Sequence, residues 1–101
     1  MARTITWTEA ASLDLDEIAQ FIGRDSKFYA AAFVREARGA ARSLRRFAER
    51  GRVVPEVADP DIRELFVRSY RLVYKIDGPS KVYVLRLIHA TRDFISVWQT
   101  P

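Results

Sequence analysis

Thr4-Ile5-Thr6-Trp7 alternates polar and apolar positions with β-branched residues, which predicts a strand over roughly residues 2–7. Thr8 is placed to cap a helix, and Glu9, Asp14, Asp16 and Glu17 crowd its early turns, where the helix dipole favours negative charge. Ala11, Leu15, Ile18 and Ile22 recur at spacings of 4, 3 and 4, one face of an amphipathic helix that Gly23 is expected to end. Ser26 caps a second helix, whose apolar positions Phe33, Ala37, Ala40, Leu44 and Phe47 step 4, 3, 4 and 3. Two such helices joined by a tight turn form an α-hairpin. From Glu49 to Asp61 the pattern breaks at Gly51, Pro55 and Pro60, which reads as a loop crossing to a sheet. Three strand-like runs follow: Ile62–Arg68, Tyr70–Ile76 and Lys81–His89. In the middle run Leu72, Tyr74 and Ile76 share one face and Arg71, Val73 and Lys75 the other. Asp77-Gly78-Pro79-Ser80 turns the last two runs into an antiparallel hairpin. A polar tail, Thr91 to Pro101, holds Phe94 and Trp98 at helical spacing. The expected fold is α+β in the order β-α-α-β-β-β: an N-terminal strand, then a helical hairpin packed on an antiparallel sheet, with a short C-terminal tail.

Composition narrows what such a scaffold can do. The 101 residues, 49% apolar and 12% aromatic, suit one domain over 1–101 with a real core. With no cysteine and a single histidine, thiol catalysis, disulfides and cysteine-ligated zinc are excluded, and no metal or cofactor is expected. No apolar run approaches the ~20 residues that span a bilayer, and the first residues do not read as a signal peptide. A cytoplasmic protein with no membrane partner is the expectation.

Charge is unevenly spread. Residues 1–26 carry two arginines against five acids, whereas residues 27–52 carry eight basic residues against Glu36 and Glu49. Fourteen of the 17 basic residues are arginine, whose planar fork suits carboxylate or phosphate. At about 100° per residue, Arg35, Arg38, Arg42, Arg45 and Arg46 all project roughly 120–220° away from Phe33 on the second helix. A solvated outer face is the ordinary role of such a stripe. Few opposite charges lie within reach to pair it, so binding an anionic partner stands beside that role. A second group lies on and just beyond the strands: Arg63, Arg68, Arg71, Arg86, His89 and Arg92, with Tyr70, Tyr74 and Trp98. The P-loop, nucleophile-elbow, zincin and EF-hand motifs are all missing.

Several short runs in order resemble one family. Ile62-Arg63-Glu64-Leu65, Tyr70-Arg71-Leu72-Val73-Tyr74, His89 and Arg92-Asp93 are similar to the RelE/ParE superfamily of bacterial type II toxins. Trp7-Thr8 with Asp14-Leu15 and Ile18, and the loop Gly51-Arg52-Val53-Val54-Pro55-Glu56, resemble its ParE branch and extend the likeness over essentially the whole chain. The resemblance implies a toxin neutralised by a cognate antitoxin, ParD-like and acidic, that carries a DNA-binding domain. ParE-like members poison DNA gyrase, whereas RelE-like members cleave messenger RNA on the ribosome.

RNA cleavage needs a base for the 2′-hydroxyl, cations around the phosphorane and an acid for the leaving oxygen. By resemblance, Arg71 and Arg92 match the nuclease arginines, and His89 with Glu56 match an acid–base pair used in other branches. Trp98 stands where RelE-like nucleases place a tyrosine, and indole is neither acid nor base near neutral pH. The three lysines all lie outside residues 53–63, where those nucleases keep basic residues and this chain has Glu56, Asp59 and Asp61. The expected reading is therefore a gyrase inhibitor without catalytic residues, contacting antitoxin or target through Arg35, Arg38, Arg42, Arg63, Arg68, Arg71, Arg86, Arg92 and Trp98. The alternatives are an endoribonuclease and a degenerate member that binds antitoxin without toxicity. For His89 and Arg71 the plainer roles are structural: a strand-end histidine, and an arginine bonding carbonyls or Glu64 across the sheet.

Overall fold

Both helix caps fall where the sequence predicts them. In the computed structural model, which describes residues 2–99, Thr8 Oγ1 accepts from the Ala11 N–H (3.1 Å) at the start of α1 (Glu9–Gly23). Ser26 Oγ accepts from the Tyr29 N–H (3.1 Å) and opens α2 (Lys27–Ser43). Thr8 has a second use: its hydroxyl donates to the Leu85 carbonyl (3.1 Å), which pins the entry of α1 to the sheet.

The strands are β1 (Thr4–Trp7), β2 (Arg52–Val53), β3 (Ile62–Val67), β4 (Tyr70–Asp77) and β5 (Lys81–His89), in the sheet order β1-β5-β4-β3-β2. All neighbours are antiparallel except β1, which runs parallel to β5 because the helical hairpin carries the chain away between them. A short helix, α3 (Phe94–Trp98), follows β5 and holds the expected Phe94–Trp98 pair as stacked rings 5.4 Å apart. Thr100 and Pro101, the end of the expected tail, and Met1 lie outside the described residues.

The α-hairpin covers one face of the sheet. Ala11, Leu15 and Ile18 of α1, with Phe33, Ala37, Ala41 and Leu44 around α2, bury against Leu65, Leu72, Tyr74, Val82, Val84 and Leu87. The opposite face holds a smaller apolar group, Val54, Ile62, Val73, Ile88 and Phe94, covered only by the 54–61 loop and α3. Among the described residues no helix is long and apolar enough to cross a membrane.

Two expectations need correction. Phe47 does not extend the apolar face of α2. After Ser43 the chain tightens into i→i−3 bonds, Leu44 N–H to Ala41 O (3.0 Å) and Arg45 N–H to Arg42 O (3.1 Å), so the 3.6 period is lost and Phe47 is 65% exposed. Ser43 contributes to this ending by donating its hydroxyl to the Ala40 carbonyl (2.6 Å). Ala40 packs half-buried against the core, as expected, and Ala41 beside it is fully buried. The stretch from Glu49 to Asp61 is also more ordered than a crossing loop: it contributes to a 3₁₀ turn, Ala48–Arg50, and then pairs Arg52 with Glu64 and Val53 with Arg63.

Candidate functional site

Strand alternation sends Glu64 and Arg71 to the face away from the helices, and the loop preceding β3 folds over them. Glu64, with no side-chain exposure, accepts from Arg52 Nε at one oxygen and from Arg71 Nε at the other. Arg71, 7% exposed, turns its two terminal nitrogens to Glu56 in a bidentate pair (2.9 and 2.7 Å). The guanidinium carbon lies 4.4 Å from the Phe94 ring centroid, so α3 closes the cluster from above. Hydrogen bonding from Arg71 is the largest influence on Glu56 and, against the opposing effect of burial, holds its carboxyl at about 2. The Arg71 guanidinium is pushed further above its ordinary range, chiefly by the Glu56 hydrogen bond.

The other strand arginines are also occupied. Arg63 donates to the carbonyls of Pro60 (2.9 Å), Gly51 (3.0 Å) and Glu49 (3.3 Å), tying down both ends of the 49–61 loop. Arg86 bonds Asp14 through Nε (2.8 Å) and Nη2 (3.2 Å) and the Val97 carbonyl through Nη1 (3.1 Å), joining α1 and α3 to β5. A register shift opposite Val73 and Tyr74 accompanies this turn of Arg86 toward α1. The Asp14 hydrogen bond raises the Arg86 guanidinium above its usual value. Arg68 pairs with Glu36 at 2.6 Å, both side chains about half exposed.

His89 is on the other side. It pairs with Tyr70 across β4 and β5, and the two rings meet edge to face at 5.0 Å, while Arg71 and Ile88 of the next rung point the opposite way. His89, Tyr70 and Arg92 line a cleft of about 580 Å³ beside α1, together with Asp14, Glu17 and Arg86. His89 Nδ1 lies 2.7 Å from Thr91 Oγ1 and 3.2 Å from the Thr91 backbone nitrogen, which ties the ring to the turn after β5. The backbone turns so that Arg92 N–H bonds the His89 carbonyl (2.9 Å).

The residues singled out in the sequence thus separate into three groups. Arg71 and Glu56 belong to the closed cluster on the open face of the sheet, with Trp98 half-buried beside it against Phe94. His89 and Arg92 belong to the cleft on the helix side. Arg35, Arg38 and Arg42 stand on the outer face of α2, where no side-chain partner is found among the described residues. Asp14, Arg52 and Phe94 complete these groups and were not among the expected site residues. Asp14 had looked like one of the acids crowding the early turns of α1, and Arg52 like part of a loop. Glu64 was legible in the sequence as a possible partner of Arg71 across the sheet, and the structure bears that pairing out.

The chain matches, over residues 5–94, the family described as the ParE toxin of type II toxin–antitoxin systems, parDE. It is 32% identical over 88 residues to "Toxin RelE2" of Caulobacter vibrioides, which covers 87% of this chain and 96% of that protein. Among solved structures, the chromosomal ParDE toxin–antitoxin system from P. aeruginosa contains a chain that superposes with a TM-score of 0.70 at 21% identity, over 87% of this chain and 96% of that one. The RelBE2 toxin–antitoxin complex from Mycobacterium tuberculosis gives a TM-score of 0.57 at 26% identity, over 88% and 99%.

Proposed function

This chain belongs to the ParE toxin family of type II toxin–antitoxin systems, and we propose that it is a toxin silenced by an acidic, ParD-like antitoxin and aimed at DNA gyrase. One observation carries the choice of target. The four residues from which an RNA-cleaving site would be assembled fall into two groups, Arg71 and Glu56 in the closed cluster over the open face of the sheet and His89 and Arg92 in the cleft beside α1. Neither Arg71 nor Glu56 lines the cleft that His89 and Arg92 share.

Their chemistry agrees with that division. Glu56, held at about 2, is too weak a base to take a hydroxyl proton near neutral pH and too strong an acid to keep one for donation. Arg71 is bound by two carboxylates, and withdrawing it to clamp a phosphate would leave Glu64 buried with less compensation. Trp98 lends stacking area to Phe94 and no proton. What remains for a target is surface: the unpaired arginines of α2, Arg92, and exposed aromatics such as Phe21, Phe28 and Tyr29 at the end of the α-hairpin. Binding that stalls an enzyme needs such contacts and no bond-making groups.

The nuclease alternative is favoured by one feature, the sharing of a cleft by His89, Tyr70 and Arg92. Tightly controlled expression separates the two. Gyrase poisoning predicts linearised plasmid and trapped double-strand breaks with intact messages, and His89→Gln should arrest growth as the parent does, with the fold checked by circular dichroism. Cut messages on intact DNA, abolished by His89→Gln, would overturn the gyrase reading. Antitoxin binding without growth arrest would leave a non-toxic member.

A further inference from the structure

β5 is longer than the strand that flanks it. Thr4–Trp7 lie alongside Lys81–Val84, and the chain then leaves into α1, so the lane beside Leu85–His89 holds no strand. Side chains answer the first groups of that lane: the Thr8 hydroxyl donates to the Leu85 carbonyl (3.1 Å), and Asp14 Oδ2 accepts from the Leu87 N–H (2.9 Å). Alternate residues of an antiparallel pair turn both backbone groups to the same neighbour. The Ala90 N–H reaches Ser69 O (2.8 Å) on the β4 side, so Ile88 also faces β4, whereas Leu87 and His89 face outward. The Leu87 carbonyl and the His89 N–H come next in the lane, and no partner for either is found among the described residues.

This edge opens into the cleft of about 580 Å³, whose lining comes from both faces of the sheet: Leu87 with Ile18 and Phe21 on the helix side, Ile88 with Val97 on the other. Arg86 is held there by Asp14 and the Val97 carbonyl, but Arg92, on the turn past β5, has no ion pair among the described residues. The lane is closed at both ends. Asp14 occupies the Leu87 N–H, and beyond His89 the chain turns back, with the Arg92 N–H on the His89 carbonyl (2.9 Å). The space between admits one paired residue and no continuing strand.

We propose that the cleft captures the carboxyl-terminal residue of a polypeptide, laid parallel to β5 opposite Ile88. β1 already shows the bonding: Thr4, opposite Lys81, donates its N–H to the Ser80 carbonyl (2.8 Å). In the same way the terminal residue donates its N–H to the Leu87 carbonyl, and its carboxylate accepts from the His89 N–H and the Arg92 guanidinium. A parallel direction brings the chain end to the closed, cationic end of the lane. An internal segment would offer Arg92 only a neutral carbonyl and would run into the turn after β5. A phosphate could use Arg92 and the His89 N–H but would leave the Leu87 carbonyl without a donor. Paired residues share a face of the sheet, so the last side chain lies with Ile88 and Val97 and the penultimate one with Ile18 and Phe21, and both are apolar. Main-chain bonds supply affinity in such a site and the alternate side chains supply specificity. The site does not depend on which target the toxin has.

The test titrates the full chain, followed by its amide resonances, with hexapeptides randomised at the last two positions, as free acids and as C-terminal amides. The free acids should shift the His89 amide and bind at least about tenfold more tightly than the amides, the worth of one charge-assisted bond. Arg92→Gln should bring the acids to within about twofold of the amides, whereas Arg35→Gln, an exposed charge on α2, should leave the preference as it is. Acids and amides that bind alike, or acids that leave the His89 amide unshifted, overturn the proposal and leave the toxin reading untouched. A mixture of free amino acids that shifts the same amide as strongly at equal concentration would make this a site for a small zwitterion and overturn the capture of a chain end as well.

Discussion

Replacing Glu64 by glutamine removes the one charge that two guanidiniums share. Arg71 would keep Glu56, but it would face a neutral amide across a site with no side-chain exposure, and Arg52 would lose the carboxylate it bonds. Glu64→Gln is expected to cost about 3 kcal/mol of unfolding free energy, since breaking one side of a buried ion pair leaves charge uncompensated. Glu36→Gln, which breaks the half-exposed pair to Arg68, should cost less than about 1 kcal/mol. Urea denaturation of the two variants measures the difference. Glu56 makes the cluster sensitive to acid. Because its folded-state value is depressed from 4.5 to about 2, the stability it contributes is fully present above pH 4.5 and is lost as pH falls toward 2. With a third of the side chain in water, a contribution on the order of 1–2 kcal/mol is reasonable. Stability measured from pH 5 to about 2 should fall less steeply in Glu56→Gln than in the parent. Strand alternation alone put Arg71 beside Val73 and away from the core face, with Glu64 as a possible partner. It did not reveal that the position is closed, because Glu56 and Phe94 come from segments far away in sequence.

The element most dependent on tertiary contact is the stretch from the 3₁₀ turn to β2. Tyr74, fully buried on β4, accepts from the Gly51 N–H (3.0 Å) and donates to the Ala48 carbonyl (2.6 Å), so one hydroxyl holds both ends of that stretch. Burial dominates its surroundings and raises its phenol above the usual range. Tyr74→Phe leaves a donor and an acceptor without partners and should destabilise the chain by about 1–3 kcal/mol. Gly51→Ala should cost at least as much by a different route: an added Cβ would stand 2.5 Å from the Tyr74 hydroxyl and 2.6 Å from the Glu64 carbonyl oxygen. Thermal unfolding of both variants tests the pair, and a neutral result in either would mean that this stretch can move off Tyr74. The caps at Thr8 and Ser26, the apolar spacing of α1 and the β4–β5 hairpin were all legible because each is specified by neighbours within a few residues. A two-residue strand has no period to read, and its pairing with Glu64 and Arg63 exists only once β3 is in place.

Across the whole molecule the arginines divide by whether their charge is answered. Arg52, Arg71, Arg68 and Arg86 sit against carboxylates and act at a distance as dipoles, whereas among the described residues Arg35, Arg38 and Arg42 on α2 and Arg45 and Arg46 just beyond it have no side-chain partner. The guanidiniums expected to await a partner on the strands are those that hold the fold together, so the unanswered positive charge lies on α2 and the turn that follows it. This has a kinetic consequence. Exposed charges are screened over about 10 Å at 0.1 M salt and over less at higher concentrations, which slows encounter more than it weakens contacts already made. The association rate constant with the proposed acidic antitoxin should fall about tenfold or more between about 50 and 500 mM NaCl, with a smaller change in dissociation. Arg38→Gln combined with Arg42→Gln should lower the rate at low salt and flatten its salt dependence. Removing the Arg68–Glu36 pair together should leave both as they are, because a dipole removed whole takes no net charge with it. Stopped-flow binding over the salt series decides the matter: an unchanged slope in the α2 double variant would mean that the free arginines of that helix do not steer the encounter.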